Sequence, residues 1–281
     1  MKEDTFLGRM KVFVFEAGRV ALDSIGNSEP ALKSDNSVVT KADQTISRLA
    51  REELSDLLQT SKHILIDEED KDKAHYLDPA LLKKADYLWL VDPIDGTRNY
   101  ANRMPNFAVS IGVLKELKPW LGAVYFPALN ELFYCDGERA FFVQDAFTAE
   151  ESIHPIKPVD QNITSHSLFL TVDKFLNDFE WDFKDCRLMI QACAAIDMCW
   201  PSIGRGCGSI LNCALWDFAG AWPIAIKAGL DLRSLTTGKV LDSLDLDVFD
   251  KETSPWRLKD CHILSSKRNF SILKNKITKI K

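Results

Sequence analysis

The stretch Tyr87-Leu-Trp-Leu-Val-Asp92-Pro-Ile-Asp95-Gly-Thr97-Arg-Asn-Tyr100 decides how this chain is read. Leu88 to Val91 is an apolar run with the length of a buried strand. It ends in two carboxylates, Asp92 and Asp95, with Pro93 and Ile94 between them. Proline fixes its own φ and holds the residue before it extended, so both acids are expected in a stiff turn at a strand end. Gly96 lets a ligand approach the backbone, and Thr97 is suited to open a short helix. Two acids beside glycine and backbone N–H groups suit a divalent cation with a phosphate: the acids hold the hard cation, the amides the anion. Alone the stretch is not decisive, because Asp-Pro and Asp-Gly pairs also mark ordinary turns.

Outward toward the N-terminus, Phe6, Leu7, Met10, Phe13, Ala17, Val20 and Ala21 recur at helical spacing. This predicts a first helix reaching about Ser24, broken by Gly26-Asn27-Ser28. Lys33 to Val39 reads as a mobile loop or hairpin. Thr40 then precedes a second helix with the stripe Ile46, Leu49, Ala50, Leu54, Leu57 and Leu58. Thr40 with Asp43 three residues on has the form of a capping box, which by itself accounts for Asp43. His63 to Ile66 reads as a short strand running into Asp67-Glu68-Glu69-Asp70. Such a run is usually a solvated loop, but at a strand end its acids can also point into a cleft. A helical turn is expected at Pro79 to Lys84.

Outward toward the C-terminus, Phe107–Leu114 and Trp120–Phe126 are two strands joined by a polar turn, followed by a hairpin, 131–135 with 139–143, around Asp136-Gly137. This antiparallel meander makes the first half α+β. In the second half, Ser167–Thr171 reads as a strand, Cys186–Ile190 as a strand or a helix start, and Ala192–Cys199 as helical. Ser209–Leu211 is short. Trp216 to Gly229 reads as one helix with Gly229 past its end, Pro223 disturbing only its later part. Cys261–Leu264 is a last strand, and Phe270 to Lys281 a basic terminal helix whose lysines suit a solvated helix end.

The chain has 281 residues, 46% hydrophobic and 27% charged, which fits a soluble enzyme with one large core or two intimately packed halves. A formal net charge of −6 argues against a broad nucleic-acid-binding surface. Seven cysteines, none in Cys-x-x-Cys and none near histidine at zinc spacing, read as reduced, mostly buried thiols. Met1-Lys-Glu-Asp-Thr has neither the basic nor the apolar region of a signal peptide, and no apolar run approaches the ~20 residues that span a bilayer. A cytoplasmic protein is therefore expected.

Four acidic segments stand at element ends: Asp43, Asp67–Asp70, Asp92 with Asp95, and Asp217 in Trp216-Asp-Phe-Ala-Gly-Ala221. In this order they resemble the inositol monophosphatase family. Asp92-Pro-Ile-Asp-Gly-Thr97 with Asn99-Tyr100 resembles its first signature, and Trp216–Ala221 its second. Val38-Val-Thr40-x-x-Asp43 resembles the segment upstream, and Asp67–Asp70 the family's G-E-E-S. The resemblance runs from about residue 5 to residue 270.

The resemblance implies a five-layer αβαβα sandwich, α+β in class, as a single catalytic domain with halves at 1–145 and 146–281. It implies hydrolysis of a phosphomonoester with two Mg²⁺ ions, inhibition by lithium, and commonly a homodimer. Carried over, Glu68, Asp92, Asp95 and the Ile94 carbonyl would ligate metal. Asp217 would bind the second ion, and Asp43 would serve a metal-bound water or a weak third ion. Thr97 with Glu68 would orient and deprotonate the attacking water, while the amides of Gly96 and Thr97 hold phosphate oxygens. No covalent phosphoenzyme is needed, so the thiols are expected to be spectators; Cys199 and Arg205 lack the surrounding glycines of a cysteine-phosphatase loop.

Substrate contacts are expected from Asp95, Gly96, Thr97, Ala192, Cys193, Ala194, Asn212 and Asp217. Here the resemblance thins. The family's G-[ST]-A has become Ala192-Cys193-Ala194, an aspartate has become Cys207, and a glutamate that contacts inositol falls near Leu211-Asn212. The substrate is thus a small phosphorylated polyol or sugar, with inositol monophosphate, fructose 1,6-bisphosphate, histidinol phosphate and 3′-phosphoadenosine nucleotides all open. The different reading is a non-catalytic RNA or transcription-complex partner. It would want an exposed basic face, which only the C-terminal lysines offer.

Overall fold

The computed structural model describes residues 4–26, 31–32, 38–172, 174–182, 184 and 186–280. Helix α1 (Asp4–Ser24) stops where its apolar stripe does. Strands β1 (Ala31–Leu32) and β2 (Val38–Val39) pair antiparallel; 33–37 between them, and Asn27 and Ser28 of the expected break, lie outside the described residues. Helix α2 (Lys41–Glu53) follows.

A seven-stranded sheet comes next, with β3 (His63–Asp67) parallel to β4 (Tyr87–Asp95) and the rest antiparallel: β5 (Ala108–Lys115), β6 (Lys118–Phe126), β7 (Glu131–Cys135), β8 (Ala140–Gln144) and β9 (Ser152–Pro155). The last strand carries this sheet past residue 145, the boundary the sequence suggested. Two short helices interrupt the run, α3 (Pro79–Leu82) and α4 (Thr97–Ala101).

The second sheet has the order β12-β10-β13-β15-β14. Its strands are β10 (Ser167–Thr171), β12 (Cys186–Ile190), β13 (Gly208–Leu211), β14 (Leu230–Ser234) and β15 (His262–Ser266). The first three are parallel and the last two antiparallel additions. A short ribbon pairs β11 (Phe179–Trp181), which follows α5 (Phe175–Asp178), with β16 (Ile277–Lys279). Helices α6 (Ala194–Cys199), α7 (Leu215–Ala219) and α8 (Trp222–Lys227) fill the space between the sheets, and α9 (Lys267–Lys274) covers the outer face of the second.

The layers are α1 and α2, sheet, α6–α8, sheet, α9: the expected αβαβα sandwich. Strand β4 shows why its run is continuously apolar. Leu88 and Leu90 pack into the core between the sheets, and Trp89 and Val91 into the core under α1 and α2. A strand covered on both faces has no polar face to alternate with.

Two elements depart from expectation. Residues 216–229 form two helices, not one. Pro223 has no N–H to donate, and its ring would crowd the carbonyl of Ala219, so α7 ends and a new helix starts beside the proline. The break fits a bare patch of sheet. Gly112 and Gly122 oppose each other across β5 and β6, and a Cβ on Gly122 would lie 1.9 Å from the Gly220 carbonyl oxygen. The terminal helix runs 267–274 rather than 270–281. Ile277 is buried in the ribbon with β11, which favours extended backbone there; Lys281 lies outside the described residues.

Candidate active site

Asp92 and Asp95 stand on β4 itself, not in a turn beyond it. A regular strand would send residues an odd number of positions apart to opposite faces. Asp92 pairs with Ser110 and Asp95 with Ala108, so β4 carries one residue more than β5 between these points. This bulge re-aims the strand end and turns both carboxylates into one cleft. Gly96 follows at φ 83°, where a Cβ would meet the Asn106 carbonyl at 2.8 Å, and it opens α4.

Glu68 comes from the parallel neighbour. Its N–H donates to the Val91 carbonyl at 3.1 Å, so it sits beside Asp92, and a hydrogen bond joins the two carboxyls. Asp217 arrives from the second half, in the first turn of α7, where its Oδ2 accepts from the Ala214 N–H at 2.8 Å. Burial, with the negative charges of Glu68, Asp95 and Asp217, holds the Asp92 carboxyl well above the usual range. Burial, then Asp95 and Glu68, pushes Asp217 up to about 8. Burial also raises Asp95 to about 6, against the donors that contact it. Carboxyls that perturb one another in this way share one site.

Asp43 serves the cap and leaves an atom over. Its Oδ2 accepts from the Thr40 N–H and hydroxyl at 2.7 and 2.6 Å, while Oδ1 is buried without a partner. Burial pushes its carboxyl to about 7, with Glu68 and Glu69 adding repulsion. Of the acidic run, Glu68 is the member whose charge reaches Asp43, Asp92, Asp95 and Asp217; Glu69 is felt at Asp43. Asp67 is buried and accepts from the Ser47 hydroxyl and the Glu69 N–H, and Asp70 pairs with Arg51 at 3.2 Å.

Among the described residues, no three His, Cys, Asp or Glu side chains are closed around one point as a finished ion cage. The donor chemistry nevertheless fits a hard cation. Asp92 Oδ1 is buried and unpartnered, as is Asp43 Oδ1, and gathered carboxylates repel unless protonated or neutralised.

Several expected substrate contacts have other duties. Asp95 Oδ1 accepts from the Ala194 N–H at 3.1 Å; Oδ2 accepts from the Ala195 N–H at 2.5 Å and the Cys193 thiol at 3.1 Å. Cys193 and Ala194 therefore hold Asp95 in place across the two halves. Burial and Asp95 keep the Cys193 thiol protonated, so it is a donor, neither spectator nor nucleophile. The Asn212 amide is engaged too: it donates to the Leu258 carbonyl at 2.9 Å and accepts from Arg257 Nε at 3.0 Å. The Thr97 hydroxyl donates to the Ile94 carbonyl at 2.9 Å, which leaves that oxygen a second lone pair.

Asn99 and Arg257 carry more than the sequence reading assigned them. Asn99 donates to the Asn106 and Gln191 carbonyls, both at 2.7 Å, and so ties α4 to the loop before α6. Its place in the Asp-Gly-Thr-Arg-Asn run was the available signal. Nothing in the sequence near Arg257 points to its contact with Asn212. Ala192 is exposed at φ 51°, at the position where the resembling family carries glycine. Ala192→Gly is expected to raise stability by up to about 1 kcal/mol, read as a higher urea midpoint; a lower midpoint would show that the left-handed residue is not strained.

A sandwich of this layering, with acids from both halves meeting at its centre, is the arrangement of one class of proteins. The model of the inositol monophosphatase family matches residues 12–266, and the chain belongs to that family. A fructose-1,6-bisphosphatase/inositol-1-monophosphatase of Thermotoga maritima is 27% identical over 197 residues, 67% of this chain and 71% of that protein. The Nus factor SuhB of Pasteurella multocida is 27% identical over 212 residues, 72% of this chain and 73% of that protein. A solved dual-specific IMPase/NADP phosphatase bound with D-inositol-1-phosphate superposes with a TM-score of 0.73 at 19% identity, covering 98% of this chain and 96% of its own.

Proposed function

We propose that this chain hydrolyses a small phosphomonoester, a phosphorylated polyol or sugar, with Mg²⁺. The observation that carries the reading is the convergence of half-buried Glu68 and Asp217 on buried Asp92 and Asp95, whose charges act on one another, with an unpartnered oxygen on Asp92. Glu68, Asp92, Asp95, Asp217 and the Ile94 carbonyl would hold two ions, and Asp43 Oδ1 a bound water or a third ion. When bound, the metal supplies an activated water and neutralises phosphoryl charge. Glu68 accepts the proton of the attacking water. The backbone amides of Gly96 and Thr97 hold phosphate oxygens at the start of α4. Cys193 and the α6 amides fix the carboxylate plane of Asp95. The same reading makes the working protein a cytoplasmic homodimer.

A phosphate-release panel tests this: myo-inositol 1-phosphate, fructose 1,6-bisphosphate, histidinol phosphate and 3′-phosphoadenosine 5′-phosphate, each with Mg²⁺ or EDTA. Release from at least one ester, dependent on Mg²⁺ and inhibited by lithium, is expected. No release from any of them would favour the RNA or transcription-complex role that the likeness to a Nus factor suggests.

A further inference from the structure

Between β3 and β4 the chain runs through Lys73, a half-buried lysine that follows a run of acids. Among the described residues its ammonium takes none of their carboxylates, and Asp70 is held by Arg51 at 3.2 Å. The ammonium donates instead to the main-chain carbonyl of Glu68 and stands 4.7 Å from the centre of the Trp216 ring. Trp216 is buried and directly precedes Asp217 in α7. One cation therefore touches the main chain of a candidate ligand from the first half and the chain neighbour of a candidate ligand from the second.

The main chain of Lys73 is gripped from the second half as well. Its carbonyl accepts from the Trp256 indole N–H at 2.8 Å. The carbonyl of Trp256, a buried residue, accepts in turn from the N–H of Leu215, the first residue of α7, at 3.0 Å. These contacts close a circuit from Glu68 through Lys73 and Trp256 to Leu215, and from Trp216 back to Lys73. On its other side the Glu68 N–H donates to the Val91 carbonyl at 3.1 Å, so both main-chain polar groups of Glu68 are held. Ligands drawn from two halves of a fold grip an ion only at a set separation, and the outer contacts that orient them tune affinity.

Resting on the phosphatase reading, we infer that Lys73 is a positioning residue of the active centre: its ammonium latches the Glu68 main chain to the face of Trp216 and so sets the spacing of Glu68 and Asp217 for metal. It contacts no phosphate in this role and transfers no proton. The latch needs a cation with N–H donors at the end of a long stem, which arginine supplies and methionine does not.

The test uses the full chain with Lys73→Met, which keeps the stem and the main-chain bond to Trp256, and with Lys73→Arg. Calorimetric titration with Mg²⁺ alone should show binding weakened about tenfold in Lys73→Met and close to wild type in Lys73→Arg. On an ester that wild type cleaves, Lys73→Met should lower kcat and raise the Mg²⁺ needed for half-maximal rate, with KM little changed. Lower stability in EDTA with unchanged Mg²⁺ binding overturns the inference, because that is a packing role alone. A rise in KM alone also overturns it, because that is a direct substrate contact. Hydrogen exchange in EDTA reads the latch without metal. Lys73→Met should speed exchange at the Glu68 and Leu215 amides, and Lys73→Arg should not. Unchanged exchange removes the positioning role even if hydrolysis is confirmed. Faster exchange at both amides upholds the latch even if wild type binds no Mg²⁺ and cleaves no ester, an outcome that removes only the phosphatase reading.

Discussion

Asp92→Asn is expected to lower phosphate release about 10²–10³-fold or more while making the metal-free protein more stable. Both effects come from the same charge. Asp92 lies buried among Glu68, Asp95 and Asp217 and keeps one oxygen without a partner. An amide fills the same space and can still donate to Glu68, but it ends a repulsion that only a cation or a proton otherwise relieves. The pH dependence has a definite sign. In this fold Asp43 titrates near 7 and Asp217 near 8, both above the ordinary carboxylate value. Their contribution to stability is full below the unfolded carboxylate range and is lost as pH rises through those values. In EDTA the wild-type melting temperature should therefore fall between pH 5 and pH 9, and at pH 8 Asp92→Asn should melt higher. A gain of about 1 kcal/mol would appear as roughly 2 °C for a chain of this size. Mg²⁺ should raise the melting temperature of wild type and not of the variant. Activity within threefold of wild type, or an Asp92→Asn protein that melts lower in EDTA at pH 8, would refute the assignment of Asp92.

Gly122→Ala is expected to cost about 3 kcal/mol or more, enough to leave much of the protein insoluble at 37 °C. The added methyl would stand 1.9 Å from the Gly220 carbonyl oxygen and 2.9 Å from the Pro223 ring, and neither can retreat. Gly220 is itself packed against Ser110 and Ile111 of β5. The central helices reach the first sheet here with backbone on backbone, so the strain would spread to α7 and to Asp217 at its start. Gly8→Ala is the control. Nothing lies within 4 Å of the added Cβ there, and α1 should gain slightly from the change. Solubility and urea midpoints of the two variants read the contrast directly. A soluble Gly122→Ala protein with an unchanged midpoint would mean that the sheet and helix break are not in this contact.

The elements of the first half were legible because each carries a local signal. The α1 stripe, the Thr40–Asp43 cap and the apolar run of β4 are set by neighbours in sequence, and each appears where those neighbours put it. The acidic segments were legible as candidates for the same reason. Signals that depend on distant chain were not. The β4 bulge needs the register of β5, and the extended Ile277–Lys279 needs β11 as a partner. The engagement of Asn212 by Arg257 joins residues 45 positions apart. Cys193 illustrates the limit most clearly: its chain neighbours suggest a substrate contact, but burial against Asp95, 98 positions away, makes it a donor to a candidate ligand.

By itself the sequence determined which residue types could do chemistry here and in what order they come, because Asp-Pro-Ile-Asp-Gly-Thr and Trp-Asp-Phe-Ala-Gly-Ala are local patterns with local conformations. Only the tertiary structure decided that Glu68, Asp92, Asp95 and Asp217 come within reach of one another's charge. The physical reason is range. A turn or a cap is set by residues within hydrogen-bond reach along the chain, whereas the field at a buried carboxyl is set by whatever the packing of two sheets brings near it.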